Sequence, residues 1–239
     1  SVTVPSPNGF TNNFSEIQGT AAADLSGLLR MEVKIATPAA APAWYWTGSS
    51  WTSVAFYTTA TVTSGTAWSY TVPPAMLAPN QTYSVTPRAY DVSGNTQTAL
   101  TAAVFTVDSL AEAGVSSIPL TSDYYGGAGA APFTGSYAPK PISIIAGSAQ
   151  DSISGVHRIE FELRPSTAAL YFDGSLFSLT GSSWNGFNLP VTWAPSAPFV
   201  NNLAIPLQSG QHYLYRVRFF DRALNISTDP ASGSIDFLY

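Results

Sequence analysis

The side chains best suited to chemistry are two histidines, His157 and His212, set among fourteen carboxylates and no cysteine. A histidine becomes a general base only when a nucleophile and an orienting carboxylate stand within hydrogen-bond reach. Here the two fall in separate extended stretches. Neither belongs to a nucleophile elbow, a phosphate-cradling loop or a histidine cluster. Both read as strand residues. The acids Asp24 and Asp91 sit in Asp24-Leu-Ser-Gly27 and Asp91-Val-Ser-Gly-Asn95, where a short carboxylate more naturally caps turn N–H groups than shares a proton. Without cysteine there are no disulfides and no thiolate metal sites. The chain is expected not to be an enzyme.

Two other groups could bind without reacting. Trp44, Trp46 and Trp51 surround the turn Thr47-Gly-Ser-Ser50. Exposed indole faces stack on sugars much as on other flat apolar groups, so these three are the candidate carbohydrate or partner surface. The competing reading puts them in a core, since tryptophan is highly buried on average. Of nine basic residues, seven (Arg30, Lys34, Arg88, Arg158, Arg164, Arg216 and Arg218) lie in four strand-like stretches that also carry Glu32, Glu160 and Glu162. They are expected to form cross-strand ion pairs that set register, rather than an anion site.

The elements that must position these groups are visible as a repeat. In Leu77 to Asn95 the residues Tyr83, Val85, Pro87 and Ala89 share one parity, and Ser84, Thr86, Arg88 and Tyr90 the other. Such alternation marks a half-buried strand. A tyrosine entering a strand six residues after a leucine fits a tyrosine corner, whose hydroxyl bonds back to upstream backbone. Leu77, Tyr83, Arg88, Asp91 and Asn95 return as Leu207, Tyr213, Arg218, Asp221 and Asn225, each shifted by 130 (207 − 77). Gly19, Gly27, Arg30 and Glu32 return as Gly147, Gly155, Arg158 and Glu160, shifted by 128 (147 − 19). A repeat of this length divides the chain in two.

In chain order, strands are expected at Val2 to Pro5, Phe14 to Ala21 and Leu29 to Ile35, the last with Leu29, Met31, Val33 and Ile35 inward. A Trp hairpin follows, then strands at Val54 to Thr63, Trp68 to Val72, Tyr83 onward and Val104 to Val107. That is about seven short strands without helical periodicity, as in an immunoglobulin-like sandwich. The second copy repeats the order, with Gly181-Ser-Ser-Trp184 echoing Gly48-Ser-Ser-Trp51. It also carries a Gly, Ala and Tyr-rich insertion at 121–137. The fold class is therefore all-β, with two tandem sandwiches at 1–108 and 109–239.

Composition narrows the partners. Charged residues make up 10 % of the chain, against about 25 % in ordinary domains. The net charge is −5, which argues against nucleic acid. No apolar run approaches the ~20 residues of a membrane span. Ile35 to Pro87 and Gly174 to Tyr215 contain no charged side chain, counting His212 as neutral. Interface cores are depleted in charge and enriched in Tyr and Trp, so these stretches are expected to pack on another subunit or a neighbouring domain; the competing reading is an exported Ser/Thr-rich surface kept soluble by its hydroxyls or by glycans.

The run Gly-Thr-Ala-x-x-Asp-x-Ser-Gly-x-x-Arg-x-Glu-Val at 19–33 leads on to Tyr45-Trp-Thr-Gly-Ser-Ser-Trp51 and Trp68-Ser-Tyr-Thr-Val-Pro73. The strand from Tyr83 to Asn95 and the close at Phe105-Thr-Val-Asp108 complete it. Together these resemble the tandem immunoglobulin-like, fibronectin type III-like repeats of large bacterial surface and secreted proteins. The resemblance implies an extracellular or cell-surface setting and a structural or adhesive module, with a carbohydrate-binding accessory module of a secreted hydrolase as the alternative. In such a sandwich the second repeat's Asp151, Asp221 and Asn225 share one end, toward which the exit of the first repeat would bring Asp108. Calcium, which takes about six to eight oxygen ligands, is the cation this set would suit; turn building is the competing reading.

Overall fold

The computed structural model describes residues 1–22, 25–37, 43–74, 76–110, 113–119, 145–187, 196–201, 205–231 and 233–239. Asp24 and the insertion expected at 121–137 lie outside these. The chain divides into two compact units, Ser1–Leu110 and Ala111–Tyr239, and every element among the described residues is a strand.

The first unit contains β1 (Val2–Val4), β2 (Gly9–Thr11), β3 (Glu16–Thr20), β4 (Leu28–Ala36), β5 (Tyr45–Trp46), β6 (Trp51–Thr52), β7 (Thr58–Ser64), β8 (Ala67–Thr71), β9 (Gln81–Asp91) and β10 (Ala103–Val107). One layer runs β1-β3-β8 and the other β4-β9-β10-β2, with the β5–β6 hairpin attached to β4. β7 changes layers along its length. Thr58 to Ala60 pair with β4, and Thr61 to Ser64 pair with β8. β2 runs parallel to β10, while the other ladders are antiparallel. This is the strand order of an immunoglobulin-like, fibronectin type III-like sandwich.

Alternation explains the core. Met31, Val33 and Ile35 of β4 face Ile17 and Trp68 of the other layer, joined by Tyr83, Val85 and Phe105. Each such side chain stabilises by about 1.5–3 kcal/mol on burial. Leu29, expected inward, is 60 % exposed. A bulge between Leu28 and Arg30 places two residues of β4 opposite one of β9, and the extra residue, Leu29, turns out. The strand expected from Val54 starts pairing only at Thr58, and Val54 and Phe56 are exposed.

The second unit contains β11 (Ala113–Ile118), β12 (Ile145–Gln150), β13 (Val156–Pro165), β14 (Tyr171–Phe172), β15 (Phe177–Leu179), β16 (Asn185–Gly186), β17 (Ser196–Asn201), β18 (His212–Asp221), β19 (Ile226–Asp229) and β20 (Ile235–Leu238). One layer is β11-β12-β17 and the other β16-β13-β18-β19. β20 shares β18's edge with β19: β19 pairs Val217 to Phe220, and β20 pairs His212 to Tyr215. Ile159, Phe161, Phe172, Tyr215, Val217, Phe219 and Phe237 fill the core.

The GSSW echo is not a structural equivalence. The counterpart of Tyr45-Trp-Thr-Gly-Ser-Ser-Trp51 is Tyr171-Phe-Asp-Gly-Ser-Leu-Phe177, shifted by 126 (171 − 45). Both form a two-stranded hairpin. Gly48 and Gly174 hold φ of 105° and 102°, the left-handed region glycine enters without penalty. Thr47 Oγ1 accepts the N–H of Ser50, and Asp173 Oδ1 accepts those of Ser175 and Leu176. Turn chemistry, not the Ser-Ser-Trp string, identifies the element.

Candidate functional site

The two corner tyrosines are equivalent to the atom. Tyr83 Oη accepts the N–H of Ala78 and Tyr213 Oη that of Gln208, each at 2.7 Å and five residues upstream. Desolvation raises both phenol pKa values, partly opposed by that backbone N–H. Tyr83→Phe is expected to retain the fold and cost about 1 kcal/mol, the worth of one hydrogen bond. Chemical denaturation checks it; an unchanged midpoint would mean that water replaces the bond.

The three tryptophans do not form a row. Trp46 is 4 % exposed, and its indole N–H donates to Tyr70 Oη at 2.8 Å. Trp51 is half buried, edge-on to Trp46 at 5.5 Å and stacked on Tyr83 at 5.8 Å. Trp44 is 45 % exposed and lines, with Thr37, Trp51, Gln81 and Tyr83, a cleft of about 320 Å³. Two of the three indoles therefore serve the core and the tyrosine corner. Phe177 takes the place of Trp51 in the second unit, tilted on Tyr213 at 5.6 Å.

The acidic residues build loops. In the first unit Asn95 donates its backbone N–H to Asp91 Oδ1 (2.7 Å) and its amide to Oδ2 (2.6 Å). In the second, Asn225 does the same to Asp221 at 2.8 and 2.6 Å. The opposite loop is tied in both units, Val92 N–H to the Gly27 carbonyl and Arg222 N–H to that of Gly155. Buried Asp151 accepts N–H groups from Ile153, Ser154 and Gly155 on one oxygen. Asp108, in the first unit, is buried and accepts the N–H of Leu110. Within the second unit, carboxylate oxygens of Asp151 and Asp221 come within 4.8 Å of each other.

One loop shows strain. Gly94 has φ of 86°, and at the matching place Leu224 holds φ of 68°. A side chain there costs about 1–2 kcal/mol. Leu224 is exposed, so little burial is lost on removing it. Leu224→Gly is expected to stabilise the second unit by about 1 kcal/mol, read as a rise in its melting midpoint; a fall would show that the leucine side chain contributes packing.

The basic residues pair across β4–β9 and β13–β18. Arg88 reaches Glu32 at 2.6 Å, Arg218 reaches Glu160 at 2.5 Å and Arg216 reaches Glu162 at 2.7 Å. Arg30 and Arg158 lie 3.4 and 3.0 Å from Glu32 and Glu160. Rings lie under the guanidinium groups: Tyr90 under Arg30, Phe220 under Arg158, Tyr57 under Arg88 and Trp184 under Arg218, at 3.7–4.2 Å. Sequence reasoning anticipated the ion pairs but missed the rings: Tyr57 and Trp184 lie outside the paired strands that carry the arginines, and Tyr90 and Phe220 lie within β9 and β18 but meet Arg30 and Arg158 only across the strand pair. His157 is exposed, and His212 makes a surface pair with Asp236 at 2.9 Å.

No family model and no curated protein matches the chain. Among solved structures it is similar to fibronectin(III)-like modules of Clostridium thermocellum CbhA, with 13 % identity and a TM-score of 0.46 over 100 % of this chain and 92 % of that one. It is similar to the FN1–FN3 domains of chicken CNTN1, with 13 % identity and a TM-score of 0.42 over 100 % and 62 %. A third likeness is to a tetra-tandem repeat in the extending region of a large adhesion protein, with 14 % identity and a TM-score of 0.34 over 96 % and 46 %.

Proposed function

We propose that the chain is a non-enzymatic structural or adhesive module of an exported bacterial surface protein, a spacer or a subunit of an extracellular fibre or sheath. One observation carries this reading. Both units commit the same polar side chains to the same structural duties: the tyrosine corner, the Asp–Asn loop and the Arg–Glu–ring ladder. Sugar binding on a tryptophan platform is disfavoured, because Trp46 is buried and Trp51 is stacked on Tyr83, so the three indoles offer no flat exposed row.

Assembly follows from the surface of β7. Thr59 and Thr61 are exposed in the charge-free stretch, where a solitary domain normally carries lysine to block edge pairing. Thr59→Lys is expected to shift the chain toward monomer. Sedimentation velocity and electron microscopy test both statements; an unmodified chain that stays monomeric at high concentration removes the fibre reading for these residues.

Calcium is proposed for the second unit at Asp151, Asp221 and Asn225, since carboxylate oxygens of the two buried aspartates come within 4.8 Å of each other and calcium takes such oxygen ligands. Thermal melts in calcium and in chelator decide it, and identical midpoints remove the site.

A further inference from the structure

Positive charge is segregated in both units. On the outward face of β4–β9, Arg30, Lys34 and Arg88 stand against one carboxylate, Glu32. On that of β13–β18, Arg158, Arg164, Arg216 and Arg218 stand against Glu160 and Glu162. The rest of the chain holds two basic residues and eleven acidic ones. Each face thus has a surplus of two cations in a chain of net charge −5. Register setting alone needs matched charges, not a surplus.

Two of the arginines are held in place while half exposed. Arg30 and Arg158, equivalent by the repeat, sit over the rings of Tyr90 and Phe220, 4.0 Å from each centroid. One edge of each guanidinium meets the glutamate, and the side chains are still 50 % and 49 % exposed. Donors remain open to solvent on a group whose planar fork matches a carboxylate in bidentate fashion. Stacking and pairing have already removed much of the side-chain freedom that binding would cost.

We propose that these two basic faces bind an acidic polysaccharide through its carboxylates. A polymer with regularly spaced carboxylates meets such a face on either unit, and its many carboxylates raise the chance of rebinding at each. The neighbourhood suits sugar rather than a denser polyanion. In the first unit, exposed Thr59 of β7, paired with Glu32, and the phenol of Tyr57 under Arg88 offer hydroxyls beside the arginines. The acidic remainder of the chain opposes duplex DNA, whose phosphates are far more closely spaced. This ligand role goes beyond spacing and does not require assembly.

The test is affinity electrophoresis of the whole chain at low salt in gels containing polygalacturonate, dextran, poly-glutamate or duplex DNA. Polygalacturonate should retard the chain most, dextran not at all, and added salt should release it. Arg30→Gln with Arg158→Gln should weaken retardation about threefold or more, with the melting profile confirming that the double variant is folded. Arg222→Gln, in the loop just beyond β18, should weaken retardation less than the double variant does. The proposal is overturned by no retardation in polygalacturonate, by a folded double variant that binds as before, or by equal retardation in poly-glutamate or DNA. Sedimentation of the same samples reports self-association separately, so failure here leaves the structural reading standing.

Discussion

Replacing Trp68 by alanine is expected to lower the melting midpoint of the first unit by about 10 °C or more while leaving a second transition in place. Trp68 is 1 % exposed and sits in the core that joins the two layers of the first unit. Its ring lies so close to β3 that a Cβ at Gly19 would fall 2.3 Å from it, and the glycine there has no side chain with which to refill the space. Truncating a large aromatic in such a site costs about 3–5 kcal/mol, and each kcal/mol moves a domain of this size by roughly 4 °C or more. The separate cores of the two units are the reason to expect two transitions in calorimetry. Trp68→Phe should cost much less, since it also removes a buried indole N–H that has no hydrogen-bond partner among the described residues. A single transition that shifts as a whole would mean that the units unfold as one cooperative block.

Asp151→Ala should destabilise the second unit by about 2–4 kcal/mol, whereas Asp151→Asn should cost about 1 kcal/mol or less. The argument is the carboxylate's hydrogen bonding. One Asp151 oxygen accepts three successive backbone N–H groups, and Ser154 and Gly155 are buried. Alanine leaves those donors without an acceptor in a place water does not reach; asparagine keeps a carbonyl oxygen where the carboxylate oxygen was. Denaturant titration of the two variants separates the readings. Equal losses would show that the negative charge, rather than the acceptor, holds the loop. If asparagine also abolishes a calcium-dependent rise in midpoint, the residue is a ligand as well as a cap.

Much of this architecture is legible in the amino-acid order because it is written in local periods. Alternation in Leu77 to Asn95 and in Leu207 to Asn225 determines two equivalent strands. The 128 and 130 offsets determine that the Arg, Glu, Asp and Asn positions match, and each matched residue performs the same bond in both units. Turn glycines and Asp–Asn pairs act within a few residues of themselves, so their duties need no tertiary information.

Other features are decided only when distant segments meet. The Ser-Ser-Trp string at 182–184 looks like that at 49–51, but Trp184 stacks under Arg218 while Trp51 stacks on Tyr83. A short string carries no record of which partner its ring will find. Leu29 faces solvent because a single-residue bulge flips parity, and a bulge depends on the pairing of two strands. The inward turn of Trp46, which weakens the sugar-platform reading, depends on Tyr70 lying across the sandwich to accept its N–H. The amino-acid sequence alone thus determined the repeat, the strands and the loop chemistry. Which faces of the aromatic and basic residues are covered was decided by the packing of layers whose contacts lie many residues apart.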